Sequence, residues 1–146
     1  MDTTGSAVAT FAHQLLAETC DLDGTTMPVP AELSYDSRDP FAVTISFRTE
    51  LGNVVWTFAR ELLLEGVLEP AGDGDVHVWP SLDDSGRFVI VLELCTPIGD
   101  ALVHLPPDDV TSFADRMLAA VPVGEESARL DLDAVVAQLL SVSEDS

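Results

Sequence analysis

The chain has 146 residues, the size of one ordinary domain, and such a domain buries about 68–70% of the surface its unfolded chain exposes, so it needs no staples. A formal net charge of −20, with six arginines and no lysine, repels nucleic-acid phosphate and anionic lipid headgroups, which excludes both as expected partners. No apolar run approaches the roughly 20 residues that span a bilayer, and the start MDTTGSAVAT lacks a basic n-region, so the cytoplasm is the expected compartment, without direct membrane insertion.

In chain order, residues 7–18 (AVATFAHQLLAE) fit two periods at once. Val8, Phe11, Ala12 and Leu15 share a helical face, whereas Phe11, His13 and Leu15 share a strand face, and periodicity does not decide between them. The segment DLDGTTMPVP reads as a turn-rich loop in which Pro28 and Pro30 hold the chain extended, and Tyr35 to Pro40 continues as an ordered turn. Val43, Ile45 and Phe47 then alternate with Thr44, Ser46 and Arg48, and Val54, Trp56 and Phe58 alternate after the Leu51-Gly52-Asn53 turn, which predicts a hairpin. Residues 59–65 are strong helix formers, with Gly66 placed as a C-terminal stop. Pro70 and the Gly72–Gly74 pair predict a turn, and Val76 and Val78 alternate with His77 and Trp79 in the next strand. Phe88 to Cys95 is almost continuously apolar, as in a central strand covered on both faces. Ala101, Val103 and Leu105 alternate in a last strand.

Pro107 with Asp108 and Asp109 opens a helix whose stripe is Val110, Phe113, Ala114, Met117, Leu118 and Val121, ended by Pro122. A final helix opens near Asp131, with Leu132, Val135, Val136, Leu139 and Leu140 on its face. The ends, 1–6 and 141–146, are expected to be flexible. The order is three strands and a helix, then three strands and two helices. Strands in hairpin groups closed by helices predict an α+β fold in one domain over 1–146 rather than alternating βαβ units.

Three motifs invite a chemical reading. Asp21-Leu22-Asp23-Gly24-Thr25 has the DxDGT form of haloacid-dehalogenase-type phosphatases, whose first Asp attacks phosphorus, whose second handles the leaving-group proton, and which hold Mg²⁺ between them. That chemistry also needs a positive side chain, usually lysine, and a parallel α/β core; the chain has no lysine and a hairpin pattern. An Asp-Gly turn is the favoured reading, with the Mg²⁺-dependent phosphatase kept as the alternative. The same loop places Asp21, Asp23 and Glu32 in an EF-hand register, but Thr26 stands where the turn glycine is required. Asp73, Asp75 and His77 share one side of a strand and could face a metal, although an Asp-rich turn entering a surface strand explains them as well. Cys20 and Cys95 lack metal-ligand spacing, and His13 and His104 have no partner nearby in sequence. Trp56 and Trp79 read as core aromatics before stacking platforms. No catalytic residue, cofactor-binding residue, cofactor or metal ligand is assigned.

Three ordered blocks resemble one family. Residues 35–43 (YDSRDPFAV) are similar to the YDxxDPYAV segment of the SsgA-like proteins, the sporulation and cell-division family of actinomycetes. Residues 56–66 (WTFARELLLEG) resemble that family's W-x-F-A-R-[DE]-L-L-x-E-G block, and residues 72–80 (GDGDVHVWP) its G-x-G-D-V-x-V-W-P block. The turn at 97–102 and the Asp131-Leu132-Asp133 helix start also fit, whereas DLDGT falls where the family has a variable loop. The resemblance implies a fold like the Whirly and guide-RNA-binding proteins, a homotrimer, and a role without catalysis. It further implies action in septum-site selection and septation, with recruitment to the cell septum and with FtsZ or another SsgA-like protein as partner. A Whirly-like fold alone would also suggest single-stranded nucleic-acid binding, the lowest-ranked reading, which the charge opposes.

Overall fold

The computed structural model describes residues 9–21, 23–97 and 99–127. Within them the chain runs β1 (Thr10–Cys20), β2 (Thr26–Asp36), β3 (Ala42–Thr49), β4 (Gly52–Ala59), α1 (Arg60–Gly66), β5 (Ala71–Asp73), β6 (Val76–Leu82), β7 (Phe88–Thr96), β8 (Gly99–Leu105) and α2 (Pro107–Ala120). All pairings are antiparallel, in one eight-stranded sheet of order β4-β3-β2-β1-β8-β7-β6-β5. The α+β expectation holds, with four strands before each helix rather than three. The final helix expected from Asp131 and the two chain ends lie outside the described residues.

The strand reading of the first segment is the correct one. Leu15 and Ala17 are buried, Phe11 and His13 half-buried, and Ala12, Gln14 and Leu16 exposed, a period of two. Ala12, which the helical reading needs on the buried face, is exposed, and His13, which only the strand reading turns inward, is half-buried.

The loop reading of the next segment needs correction. Thr26–Asp36 is a full strand paired with β1 along its length, including Glu18↔Pro28 and Leu16↔Pro30. Proline lacks the N–H that a ladder needs, but Pro28 and Pro30 have the same parity and turn their nitrogens away from β1. β3 pairs with β2 only from Ala31 to Ser34, so the two prolines lie on a stretch of edge where no donor is required. The other missed strand, β5, is only three residues long and contains Gly72. From Asp36 the expected turn is present: Tyr35 Oη donates to Pro40 O at 2.9 Å, and Ala9 N–H donates to Ser37 Oγ at 2.8 Å.

Each group of four strands ends in a helix, and the helices reach across the groups: α1 packs mainly on β5 and β6 of the second group, and α2 on β7 and β1. Leu62 and Leu63 of α1, and Val110, Phe113 and Met117 of α2, join the inward residues of the sheet in one apolar core. Leu118, expected on the buried stripe of α2, is only partly buried. Phe11 of β1 organises the docking of α2: its ring centroid lies 5.5 Å from that of Phe113 and 5.8 Å from that of Tyr35. The Arg116 guanidinium stands 4.3 Å above it, and His13 Nε2 contacts Asp109 Oδ1 at 2.9 Å.

Gly66 differs from its expected role. It is the last helical residue, followed by Val67 in a right-handed conformation, so it is no left-handed stop. A Cβ on Gly66 would lie 2.3 Å from Val78 Cγ1, and the missing side chain is what lets α1 approach β6. Between the two groups the sheet is narrow. β1 meets β8 through Glu18↔His104, Thr19↔Val103 and Cys20↔Leu102 alone.

Candidate functional site

The phosphatase motif is a hairpin turn. Asp21 N–H donates to Thr25 O at 2.9 Å and Gly24 N–H to Asp21 O at 3.0 Å, closing the link from β1 to β2 with Gly24 at φ 86°. Thr25 N–H donates to Asp23 Oδ1 at 2.9 Å, and that backbone bond holds the Asp23 carboxyl below the ordinary carboxylate range. Both features are those of an Asx turn, and the turn joins antiparallel strands where the phosphatase chemistry needs a parallel strand leading into a helix. The phosphatase alternative finds no support here.

Of the Asp73, Asp75 and His77 row, the structure assigns His77 to other neighbours. The β6–β7 register sets His77 opposite Glu93, and the β7–β8 register sets Cys95 opposite Asp100. His77 Nδ1 lies 3.3 Å from Glu93 Oε1 and 4.0 Å from Cys95 Sγ. The ring is laid over Gly72, its neighbour in β5, where a Cβ would come within 2.1 Å of His77 Cδ2. Burial first, and then the carboxylates of Asp100, Glu93 and Asp75, push the Cys95 thiol above its ordinary range. Trp79 and His104 flank Val91 in the next row of this outer face, Trp79↔Val91↔His104. Residue spacing could not find the cluster, because Glu93 and Cys95 reach His77 only through strand register.

The third feature is buried. Arg60, in the W-x-F-A-R block, is 1% exposed at the first position of α1. Its Nη2 donates to Glu126 Oε2 at 3.0 Å, its Nη1 stands 3.5 Å from Tyr35 Oη, and its guanidinium carbon lies 5.9 Å from the Tyr35 ring centroid. Among the described residues its Nε has no partner. Arg60 thus ties the segment after α2 to the start of α1. It binds elements of the fold to one another and presents no charge to solvent.

The β3–β4 hairpin carries three large exposed apolar side chains. Leu51 at its tip is fully exposed, and Val54 and Val55 are 44% and 59% exposed on β4, an outermost strand of the sheet. Phe58 of the same strand is buried, and Trp56 packs partly buried against the core. Among the described residues, no helix is long and apolar enough to cross a membrane.

The family model described as "Streptomyces sporulation and cell division protein, SsgA" matches residues 29–126. The chain is 48% identical over 118 residues to the sporulation-specific cell division protein SsgB of Frankia casuarinae, covering 80% of this chain and 82% of that protein. It is 44% identical over 120 residues to SsgB of Streptomyces coelicolor, covering 82% and 87% respectively. A solved structure of SsgB, described with the finding that mutations in SsgB correlate to longitudinal cell division during sporulation of Streptomyces coelicolor, superposes with a TM-score of 0.78 at 40% identity, covering 84% of this chain and 97% of that one. A crystal structure of an SsgA-like sporulation-specific cell division protein from Thermobifida fusca superposes with a TM-score of 0.83 at 31% identity, covering 94% and 98%.

Proposed function

Because the chain belongs to the SsgA-like family of sporulation and cell-division proteins, we propose that it is a non-catalytic regulator of sporulation-specific cell division, acting through protein contacts in septum-site selection and septation. The observation that carries this reading is the near full-length likeness to SsgB, in sequence and in fold together. FtsZ or another SsgA-like protein is the partner it implies, with recruitment to the septum from the cytoplasm. A fluorescent fusion in sporulating hyphae should gather where septa form, and deletion should misplace or abolish them. An evenly spread fusion with normal septation in the deletion strain would overturn the reading. So would a Mg²⁺-dependent phosphatase activity lost in Asp21→Asn.

The finer description of the fold is Whirly-like, with two units of four strands and a helix set head to head across the β1–β8 seam. The assembly that goes with it is a homotrimer, and β4 offers a place for the contact. Among the described residues its outer edge pairs with no other strand, Val54 and Val55 on it are exposed, and Gly52 to Ala59 contains no proline. Light scattering should give about three chain masses for the wild type. Val55→Lys, a charge placed on an open edge, should shift the population toward a single chain mass without loss of fold. A trimer unaffected by Val55→Lys would move the contact away from β4.

A further inference from the structure

We propose that His77, Glu93 and Cys95 form a binding site for a borderline divalent metal ion, with zinc the best fit, that clips β6 to β7 on the outer face of the sheet. The donors are an imidazole nitrogen, a carboxylate oxygen and a thiol sulfur, all within 4.8 Å of one another. Among the described residues they are the one group of its kind.

Geometry favours a tetrahedral ion. Zinc bonds of about 2.0 Å to nitrogen and oxygen and about 2.3 Å to sulfur put tetrahedral N and O about 3.3 Å apart, and N and S about 3.5 Å apart. His77 Nδ1 is 3.3 Å from Glu93 Oε1, which already matches, and 4.0 Å from Cys95 Sγ, which needs a closure of about half an ångström. A plain ion pair would explain the first distance and leave the thiol without a reason to be there. Ligand type narrows the ion further: a mixed nitrogen, sulfur and oxygen set suits zinc and its cobalt surrogate and disfavours Mg²⁺ and Ca²⁺, which take oxygen.

The imidazole is also held in place. Gly72 lets the ring lie flat across β5, so Nδ1 is aimed toward β7 without a large loss of rotamer freedom on binding. Asp100, paired with Cys95 across β7–β8, places a carboxylate beside the sulfur but stands outside the three-residue group, so the fourth position falls to water. Glu93 and Asp100 surround the thiol with negative charge, which a dication neutralises. Binding moves the thiol proton to solvent or buffer and leaves a thiolate–metal bond, so no oxidant or reductant is involved.

The test uses the full, tag-free chain under reducing conditions, titrated with CoCl₂ and then ZnCl₂. The expected result is one Co²⁺ per chain, with a thiolate-to-cobalt charge-transfer band in the near ultraviolet and intense visible bands of a tetrahedral ion, displaced by zinc. The charge-transfer band should vanish in Cys95→Ser and persist in Cys20→Ser. His77→Asn should weaken binding by about tenfold or more, and zinc should raise the Tm of the wild type but not of Cys95→Ser. These side chains are only partly buried, so circular dichroism of the variants should match the wild type. Absence of the charge-transfer band, or binding that is multiple, weak and unchanged in Cys95→Ser, would overturn the proposal and assign the ions to the acidic surface.

Discussion

Arg60→Ala is expected to destabilise the fold by about 3–5 kcal/mol, the usual cost of removing one partner from a buried ion pair, which is a large part of the margin of a small domain. The guanidinium is 1% exposed and the Glu126 side chain 16%, so truncation leaves a carboxylate without its cation and a cavity under Tyr35. Urea unfolding at neutral pH should show a lower midpoint with an unchanged slope. The pair also has an acid limb. Its own backbone N–H first, and then the Arg60 guanidinium and the Gly124 N–H, hold the Glu126 carboxyl below the ordinary range. A carboxylate with a depressed folded pKa contributes stability above its unfolded value of about 4.3, and that stability is lost as pH falls through the folded value. The midpoint of the wild type should therefore fall on acidification, less steeply in Glu126→Gln. An Arg60→Ala protein as stable as the wild type would mean that the pair contributes nothing net.

Gly66→Ala should destabilise by about 1–3 kcal/mol, the range for overpacking a well-filled site. The sign is the informative part. In a solvent-facing helix the same change stabilises by about 1 kcal/mol, since alanine is the better helix former. Here the new methyl would sit 2.3 Å from Val78 Cγ1, 2.5 Å from Val78 Cβ and 3.1 Å from the Val78 carbonyl oxygen. Val78 is fully buried and its backbone lies inside the sheet, so neither can give way cheaply. Thermal unfolding decides it: a raised Tm would place α1 farther from β6 than the structure has it.

Particular residues show how far sequence reading reached. Residues 88–95 were legible because the run is short, bounded by turns and rich in β-branched Val and Ile, and Val89 to Leu92 are indeed buried in succession. The face of α2 was legible for the opposite reason: fourteen residues give the helical period room to show itself. β2 was hidden by two prolines, whose prohibition applies to a ladder position and not to an open edge. Gly66 carried the right local signal for a helix end, but the cause lay across the core in Val78, which no local rule sees. The cluster at His77 needed Glu93 and Cys95 from the next strand, and register is a property of paired strands rather than of one segment. The family blocks identified the scaffold, while the contacts of their individual residues, such as Arg60 with Glu126, required the fold.

Pro28 and Pro30 have one more effect, on the company the protein keeps. A foreign strand approaching the rim of β2 beyond Ala31 would meet two consecutive sites with no hydrogen to donate, although Met27 nearby is 66% exposed and would otherwise invite contact. The rim of β4 has the reverse character, with donors intact and valines outward. Promiscuous stacking into fibres needs edges that accept any newcomer, and the imino acids close one such entrance while leaving another available for a chosen neighbour.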